Sequence, residues 1–498
     1  MTAPSLVITG AGIGGLATAL ATSFAGWNAQ VFERATVFSE EGAGVQLGPN
    51  VMGVLHGWGL QSALRGVAAF PSQLQVKSAV SGRLLARLPL ADMSERYGAP
   101  YATLHRADLH AVLLSATQQY GVVVTPGADV SVLAHTDRAV DLCVDLPLIV
   151  PGREPRRRQW LRAAAVRGNA RDRDAAGDGA GDSAAAATSY AGDEVSSGQP
   201  LMRPPLAAQP DIANGASLRA RHNDATNQRE HSGRREPQGS GHTLQTPLLV
   251  GADGLWSRVR AHVVLADMPP RPTGHLAYRA LIAQNALPLR LRSDAVTAWL
   301  GPRFHAVQYP VRGGDWLNLV VIVQGQISGD PTSWDHSANA LDLMALMAPA
   351  HADLQDTLRV APAWRLWPLF DRPPMTSAAQ QSRGAIALVG DAAHPMRPYL
   401  AQGAGMAIED AAALGRELAR ALERSGPRDN LSVTDINIPE ALGRFAANRW
   451  QRNAAVQTRA ARNGQIFHMR GPLAWARNAA LALGGARVLD MPWLYGGG

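Results

Sequence analysis

Gly10, Gly12 and Gly15 stand in GAGIGG, directly after the apolar run LVIT and directly before LATALATSFAGW. Glycines at that spacing, with Gly14 inside it, allow a tight turn between a strand and a helix. They let the backbone approach a pyrophosphate, which then rests on the positive N-terminal end of the helix. Glu33 closes the next strand, 18 residues after Gly15, where a carboxylate accepts the hydroxyls of an adenosine ribose. Strand, turn, helix and acid together predict a dinucleotide site.

Two further turns follow apolar strands and carry an acid. LLVGADGLWSRVR places Asp253 between an alanine and a glycine, and AIALVGDAAHP places Asp391 likewise. Asp391 is positioned to hold a ribityl hydroxyl or a group on the phosphate side. The helix starting near Gly403 aims its free N–H groups and dipole beyond its N-terminus, where they would steady the negative charge of a reduced flavin. His394 lies three residues after Asp391, but no Gly-x-Ser-x-Gly or other nucleophile motif accompanies it, so it reads as a loop-bonding histidine.

The elements that must position these groups can be read along the chain. Residues 1–35 read strand, glycine turn, helix, strand, with Leu16, Ala19, Leu20 and Phe24 at helical spacing. HRADLHAVLLSATQQYG reads as an amphipathic helix. From about 151 to 242 the chain becomes rich in Ala, Arg, Gly, Asp, Ser and Pro, with few large apolar residues. Such a segment cannot bury enough apolar area to offset its ordering entropy, and it reads as a disordered insertion. The expected order is a dinucleotide-binding part at 1–150 and 243–269, a sheet-rich substrate part at 270–375, a return to the first part at 376–425, and helices over 426–498. HLAYRALIAQ, VTAWLG, HAVQYPV and WLNLVVIVQ supply the strands of the second part. The fold class is α/β, Rossmann-like, with an inserted β-sheet domain.

The 498 residues carry 47 Lys and Arg against 40 Asp and Glu, a net charge of +7. All of the bases but Lys77 are arginine, and no basic run is interleaved with aromatics, which argues against nucleic-acid binding. The single Cys143 excludes an internal disulfide and a multi-cysteine metal site. It reads as a small buried hydrophobe, and no metal site is expected. The first strand begins at Ser5, leaving no room for a signal peptide. No run reaches the roughly 18 apolar residues of a membrane span. AWARNAALALGGARVL reads as an amphipathic helix packed on the body. A cytoplasmic protein, monomer or homodimer, is expected.

GAGIGG, GADG and GDAAHPMRPYLAQGAGMAIEDAAAL, in that order, resemble the single-component FAD-dependent aromatic hydroxylases of the para-hydroxybenzoate hydroxylase fold. GAGVQLGPNVMGVLHGWGL, HRADLHAVL, GHLAYRAL and RWQRNAAVQTRAARNGQIFH are similar to the salicylate hydroxylase and 6-hydroxynicotinate monooxygenase branch. The resemblance covers residues 1–150 and 243–495 and has no counterpart for the insertion. It implies FAD as cofactor, NADH or NADPH and O2 as co-substrates, and hydroxylation of an aromatic substrate through a C4a-hydroperoxyflavin. Gly14, Glu33, Arg34, Gln46, Arg106, Asp391 and Ala404 would contact FAD, and Gln46 stands where relatives have histidine. Asp253 would serve the flavin's pyrophosphate region and NAD(P)H use, with Arg258 and Arg260 holding nearby phosphates or carboxylates.

In that reaction the flavin does the hard chemistry, and the protein positions, dries and polarises the site. The carbonyl of Pro398 would lie near the reacting oxygen. A phenolic ring must lose its proton, which a group titrating near neutrality does best. The candidates are Tyr278, His275 and Tyr399. Tyrosine, with a reference pKa of about 10, is a poor base but a good hydrogen-bond partner. His275 and Tyr278 are three apart on a strand and point to opposite faces unless a bulge intervenes. Arg279 is a candidate for the flavin or a substrate carboxylate. Trp364 and Trp367 read as packing at the domain junction. Two alternatives stay open: an epoxidase or tailoring hydroxylase of a larger product, and a flavoprotein whose insertion recruits a partner.

Overall fold

A computed structural model of the chain describes residues 3–38, 44–146, 241–325, 336–337, 340–426 and 432–497. Residues 1–147 with 239–498 form one compact unit. A second unit, 148–238, lies outside the described residues, and with it nearly all of the expected insertion.

A six-stranded sheet carries the glycine turn. Its order is Ser382–Arg383, Ile386–Leu388, Leu249–Gly251, Ser5–Thr9, Asn28–Glu33, Val123–Pro126, parallel except for the first pair. The strand ends that carry GAGIGG, GADG and GDAAHP are thus adjacent, though 241 residues separate Thr9 from its neighbour Val250. The helix Ile13–Phe24 packs on this sheet and against the helix Gly403–Arg424. Gly415 permits that approach, since a Cβ there would stand 2.8 Å from the Ala21 carbonyl oxygen.

An eight-stranded sheet forms the second layer, ordered His336–Ser337, Arg365–Asp371, Arg271–Ala283, Trp316–Gln324, Phe304–Val311, Val296–Gly301, Gln73–Ser78, Leu84–Pro89. The sheet expected of residues 270–375 therefore also takes in two strands from the first 150 residues. Alternation gives it two faces. On the rear face, Leu276, Tyr278, Ala280, Phe304, Ala306, Leu319 and Val321 form a core with Leu343 and Leu354 of the helices Ala340–Leu346 and Ala352–Val360. On the front face, Val307, Tyr309, Val311 and Leu281 meet Met406 of the helix Gly403–Arg424 and Val456 of the helix Ile438–Phe467. Trp364 belongs to the rear core, and Trp367 lies under the Arg279 guanidinium, 4.7 Å from ring centroid to Cζ.

The C-terminal part is helical, as expected: Ile438–Phe467, Pro472–Gly484, Ala486–Leu489 and Pro492–Tyr495. Asn437 caps the first of these by accepting from the Glu440 N–H, with Pro439 in its first turn. The expected amphipathic helix is Pro472–Gly484, but its polarity differs from a solvated surface helix. Its only charged side chain, Arg477, turns inward to donate to the Ile466 and Phe467 carbonyls, while Leu473, Trp475 and Leu483 face outward. Among the described residues no helix is long and apolar enough to cross a membrane. Cys143 is half-buried rather than buried.

Candidate active site

The glycines of the first turn do different work. Gly10 has a φ of 94°, and a Cβ there would stand 2.4 Å from the Ala252 carbonyl oxygen, so the turn and the GADG strand end abut. A Cβ on Gly15 would fall 1.9 Å from the Gly10 carbonyl oxygen, whereas one on Gly14 would meet Ala407 Cβ at 3.3 Å and Val389 at 4.0 Å. Gly12 alone faces open space, with nothing within 4 Å of its Cβ position. Open space at the N-terminus of a helix of twelve residues leaves room for an anionic group such as a pyrophosphate. Glu33 stands beside it, accepting from the Ala11 N–H at 2.7 Å and the Ala35 N–H at 2.8 Å. Arg34 is exposed next to it. His110, which sequence reasoning missed, reaches the Ala11 carbonyl at 2.7 Å.

Asp253 is a turn-capping acid. One oxygen accepts from Ser257 Oγ at 2.6 Å, and the other from the Arg258 and Val259 N–H groups at 2.8 and 3.3 Å. Burial raises its carboxyl, and those hydrogen bonds oppose the rise. Of the phosphates or carboxylates expected of the two neighbouring arginines, both hold carboxylates of the chain itself. Arg258 pairs with Asp129 at the surface. Arg260 is buried, pairs with Asp267 at 2.8 Å and donates to the Ala392 and Ala393 carbonyls, tying the GADG segment to the GDAAHP loop.

The GDAAHP loop is fixed from below. Asp410 accepts from the Gly390 N–H at 3.2 Å, from Arg449 Nε at 2.8 Å and from Asn453 Nδ2 at 2.9 Å, and meets His394 Nε2 at 2.5 Å. Burial alone would raise Asp410, but His394 and Arg449 beside it hold it well below the usual carboxylate range. His394 is therefore a loop-bonding residue. Asp391 is exposed beside this network. The surrounding protein desolvates and raises its carboxyl, while His394 and Arg106 pull it down. Arg106 opens the helix Arg106–Gln119, and its charge also reaches Arg279.

The loop 395–402 leads to the helix Gly403–Arg424 and is held by the long C-terminal helix. Gln457 donates to the Pro395 carbonyl and Asn463 to the Tyr399 carbonyl. Gly464 leaves room for the Tyr399 ring, which would otherwise lie 2.7 Å from a Cβ. Pro398 is exposed in this loop. Ala401 has a φ of 54°, and the buried Oε1 of Gln402 has no hydrogen-bond partner, beside half-buried Gly403 and Ala404. Gln46 is buried and accepts from Tyr101 Oη at 2.7 Å, and it also bonds Tyr309.

His275, Ala277 and Arg279 occupy the front face of the eight-stranded sheet, and Tyr278 the rear. The irregularity in pairing falls between Pro272 and Leu276, and from Leu276 onward the register to the Arg365–Asp371 strand is unbroken. Tyr278 therefore does not join the cluster expected of it. That cluster forms instead from His275, Tyr399 and two residues that sequence reasoning missed, His305 and His468. Ring centroids lie 6.0 Å apart for His275 and Tyr399, 5.0 Å for His275 and His468, and 5.2 Å for His305 and Tyr399. His305 Nδ1 and His468 Nε2 are 2.8 Å apart. Tyr399 Oη, His275 Nδ1, His468 Nδ1 and Arg279 Nε are all buried without a hydrogen-bond partner. Burial raises Tyr399 and keeps it a hydrogen-bond donor. Burial, then Arg397, lowers His275 and keeps it neutral near pH 7. A concavity of about 370 Å³ lies elsewhere, among Met52, His56, Leu64 and Phe70. Among the described residues no group of three acids, histidines or cysteines could hold a metal.

Residues 197–434 match the FAD binding domain family. The chain is 30% identical to "3-hydroxybenzoate 6-hydroxylase 1" of Aquipseudomonas alcaligenes, over 99% of this chain and 97% of that one. The chain belongs to the single-component FAD-dependent aromatic hydroxylases. It is an FAD-dependent monooxygenase. The hydroxylase is also 30% identical to "3-amino-4-hydroxybenzoate 2-monooxygenase PtnB3" of Streptomyces platensis, over 99% of this chain and 96% of that one. With "6-hydroxynicotinate 3-monooxygenase" of Bordetella bronchiseptica it shares 28%, covering 91% and 90%. Its fold matches Klebsiella pneumoniae HpxO complexed with FAD and uric acid, with a TM-score of 0.67, 18% identity and coverage of 98% and 94%. A salicylate hydroxylase substrate complex gives 0.66, 19%, 99% and 95%.

Proposed function

We propose that the hydroxylase adds one oxygen atom from O2 to a small hydroxylated aromatic acid or N-heterocycle, with NADH or NADPH as reductant. The observation that carries this reading is the set of unpartnered polar atoms on the front face: Arg279 Nε, His275 Nδ1, Tyr399 Oη and His468 Nδ1. Buried polar atoms without partners are rare and costly, and these match an anionic group at one end of a substrate and a ring hydroxyl at the other. Arg279 takes the carboxylate. Tyr399 donates to the hydroxyl oxygen, and a neutral imidazole of the cluster accepts its proton.

FAD fits the residues present. The open face of Gly12 and the N-terminus of Ile13–Phe24 would hold its pyrophosphate, Glu33 its ribose, and Asp391 and Arg106 its ribityl side. Gly403, Ala404 and the unpartnered Gln402 Oε1 would meet the ring. Gly10, Gly14 and Gly15 shape the turn, Asp253 its wall and Gln46 the support of Tyr309, while Pro398 and Arg34 border the groove. When bound and reduced, FAD supplies the activation of O2. The buried sheet face and the loop 395–402 keep water from the reacting atoms. A cytoplasmic setting, where reduced nicotinamide is regenerated, suits this chemistry.

The test is NAD(P)H oxidation across hydroxybenzoates and hydroxynicotinates, with peroxide measured in parallel. Stimulation with little peroxide supports the reading. Stimulation only by large polycyclic phenols favours a tailoring hydroxylase instead.

A further inference from the structure

The reading above leaves open which imidazole takes the proton, and the geometry of His468 and His305 speaks to that. His468 follows the long helix Ile438–Phe467, and His305 lies on the strand Phe304–Val311, 163 residues away. Both are more than nine-tenths buried, at 7% and 1% exposure. Their nitrogens are 2.8 Å apart, so one ring donates an N–H to the other's lone pair. The other nitrogen of His468, Nδ1, has no partner, and the His468 ring stands against His275 at 5.0 Å and Tyr399 at 6.0 Å.

We propose that His468 is the base that ionises the substrate's ring hydroxyl and that His305 stores the proton, the two rings forming a relay. This rests on the aromatic-hydroxylase reading and deepens it. In the resting state His468 carries its proton on Nε2 and donates it to His305 Nδ1. The substrate O–H bond breaks and an N–H bond forms at His468 Nδ1. At the same time the His468 Nε2–H bond breaks and an N–H bond forms at His305 Nδ1. The products are a phenolate, a neutral His468 of the opposite tautomer and a His305 imidazolium, so the charges cancel within the site. When the hydroxylated ring regains aromaticity, the reverse shift returns the proton.

The surroundings suit a relay of neutral rings. Burial, then His468 and His275, hold His305 well below its ordinary value, so both rings are neutral before substrate binds, and the His305 imidazolium persists only beside the opposite charge of the phenolate. Burial, His275 and Arg477 lower His468 to about 4. The charged and titratable groups facing the pair are His275, Tyr399 with Arg397 and Asp371 behind it, and Arg477, whose guanidinium binds the Phe467 carbonyl next to His468. Among the described residues no second imidazole is hydrogen-bonded to His275, and its Nδ1 is unpartnered. It cannot pass a proton on as His468 can.

The experiment uses the FAD-loaded enzyme without NAD(P)H. 3-Hydroxybenzoate, other hydroxybenzoates and 6-hydroxynicotinate are titrated in, and ionisation of the bound hydroxyl is followed by ultraviolet difference absorbance against pH. Wild type is expected to hold phenolate well below the roughly 10 typical of a free phenol. In His468→Asn ionisation shifts up by one pH unit or more, and kcat falls by about 10²–10⁴-fold, the usual worth of a general base. His305→Asn gives a smaller kcat loss with KM little changed, and it carries the test if His468→Asn fails to retain FAD. Unchanged ionisation in both variants, or its loss only in His275→Asn, overturns the relay while leaving the hydroxylase reading intact. If no compound perturbs the flavin spectrum, the relay and the substrate reading fall together.

Discussion

Tyr278 and Arg279 are neighbours in the chain and face opposite sides of one sheet. Tyr278 is buried with Leu276, Ala280 and Leu343 on the rear face, while the Arg279 guanidinium lies over Trp367 on the front. Within AYRA, the proposed substrate contact is the arginine, and the tyrosine packs the sheet against its helical cover.

Tyr278→Phe should therefore leave kcat and KM within about twofold. Its stability cost should be no more than the ~1 kcal/mol of one hydroxyl hydrogen bond. Arg279→Ala should instead raise KM for an aromatic acid at least tenfold, with a much smaller effect on an uncharged phenol. Steady-state kinetics on the two compounds separates these outcomes. A large kcat loss in Tyr278→Phe would place Tyr278 back in the chemistry.

The glycine turn predicts a split between two alanine variants. Gly15→Ala drives a methyl into the Gly10 carbonyl, 1.9 Å away, so the turn must break and soluble, FAD-bound protein should be lost. Gly12→Ala has open space and should fold with a near-normal melting temperature. Its methyl would occupy the pyrophosphate cradle, so FAD affinity should fall at least tenfold by fluorescence titration. Equal FAD affinity in Gly12→Ala and wild type would remove the cradle assignment.

Arg260 and Arg258 should also differ. Arg260→Ala leaves two buried loop carbonyls without their donor, while Asp267 keeps Arg372, at a cost of about 1–3 kcal/mol. Arg258→Ala removes an exposed pair worth no more than about 1 kcal/mol. Chemical denaturation of each variant measures both.

His468 and His305 make stability depend on pH. Their folded pKa values lie below the unfolded value of 6.5, so the unfolded chain binds more protons as pH falls. Stability is full above about pH 6.5 and declines as pH falls toward 4. His468 alone contributes on the order of 3 kcal/mol to that decline. A denaturant midpoint measured from pH 7.5 to 4.5 should drop steeply in wild type and less steeply in His468→Asn. A flat wild-type profile would mean these rings are not held neutral.

Much of this was legible in the chain. The three glycine-and-acid turns sit at strand ends because the parallel sheet gathers strand tips, and each motif carries its own strand and helix. The alternation that separates Tyr278 from His275 was legible as well, and no bulge intervenes between them, since the register to the neighbouring strand is unbroken from His275 to Ala283. What sequence could not supply was proximity across long separations. His305 and Tyr309 share a face by simple alternation in HAVQYPV, yet nothing local says that His468 meets that face. Gly464 and Asn463 bring it there by seating Tyr399 on the long helix. That Arg260 also holds the Ala392 and Ala393 carbonyls was hidden for a similar reason, since those partners are brought to it by the fold.

The most direct measurement is turnover of the FAD-loaded enzyme with NAD(P)H, isotopically heavy O2 and the hydroxybenzoate and hydroxynicotinate panel, read by mass spectrometry. The account predicts a ring-hydroxylated product carrying one heavy oxygen atom, formed in step with NAD(P)H consumed. Consumption of NAD(P)H with all the heavy oxygen recovered as peroxide, and no hydroxylated product from any compound, would contradict it.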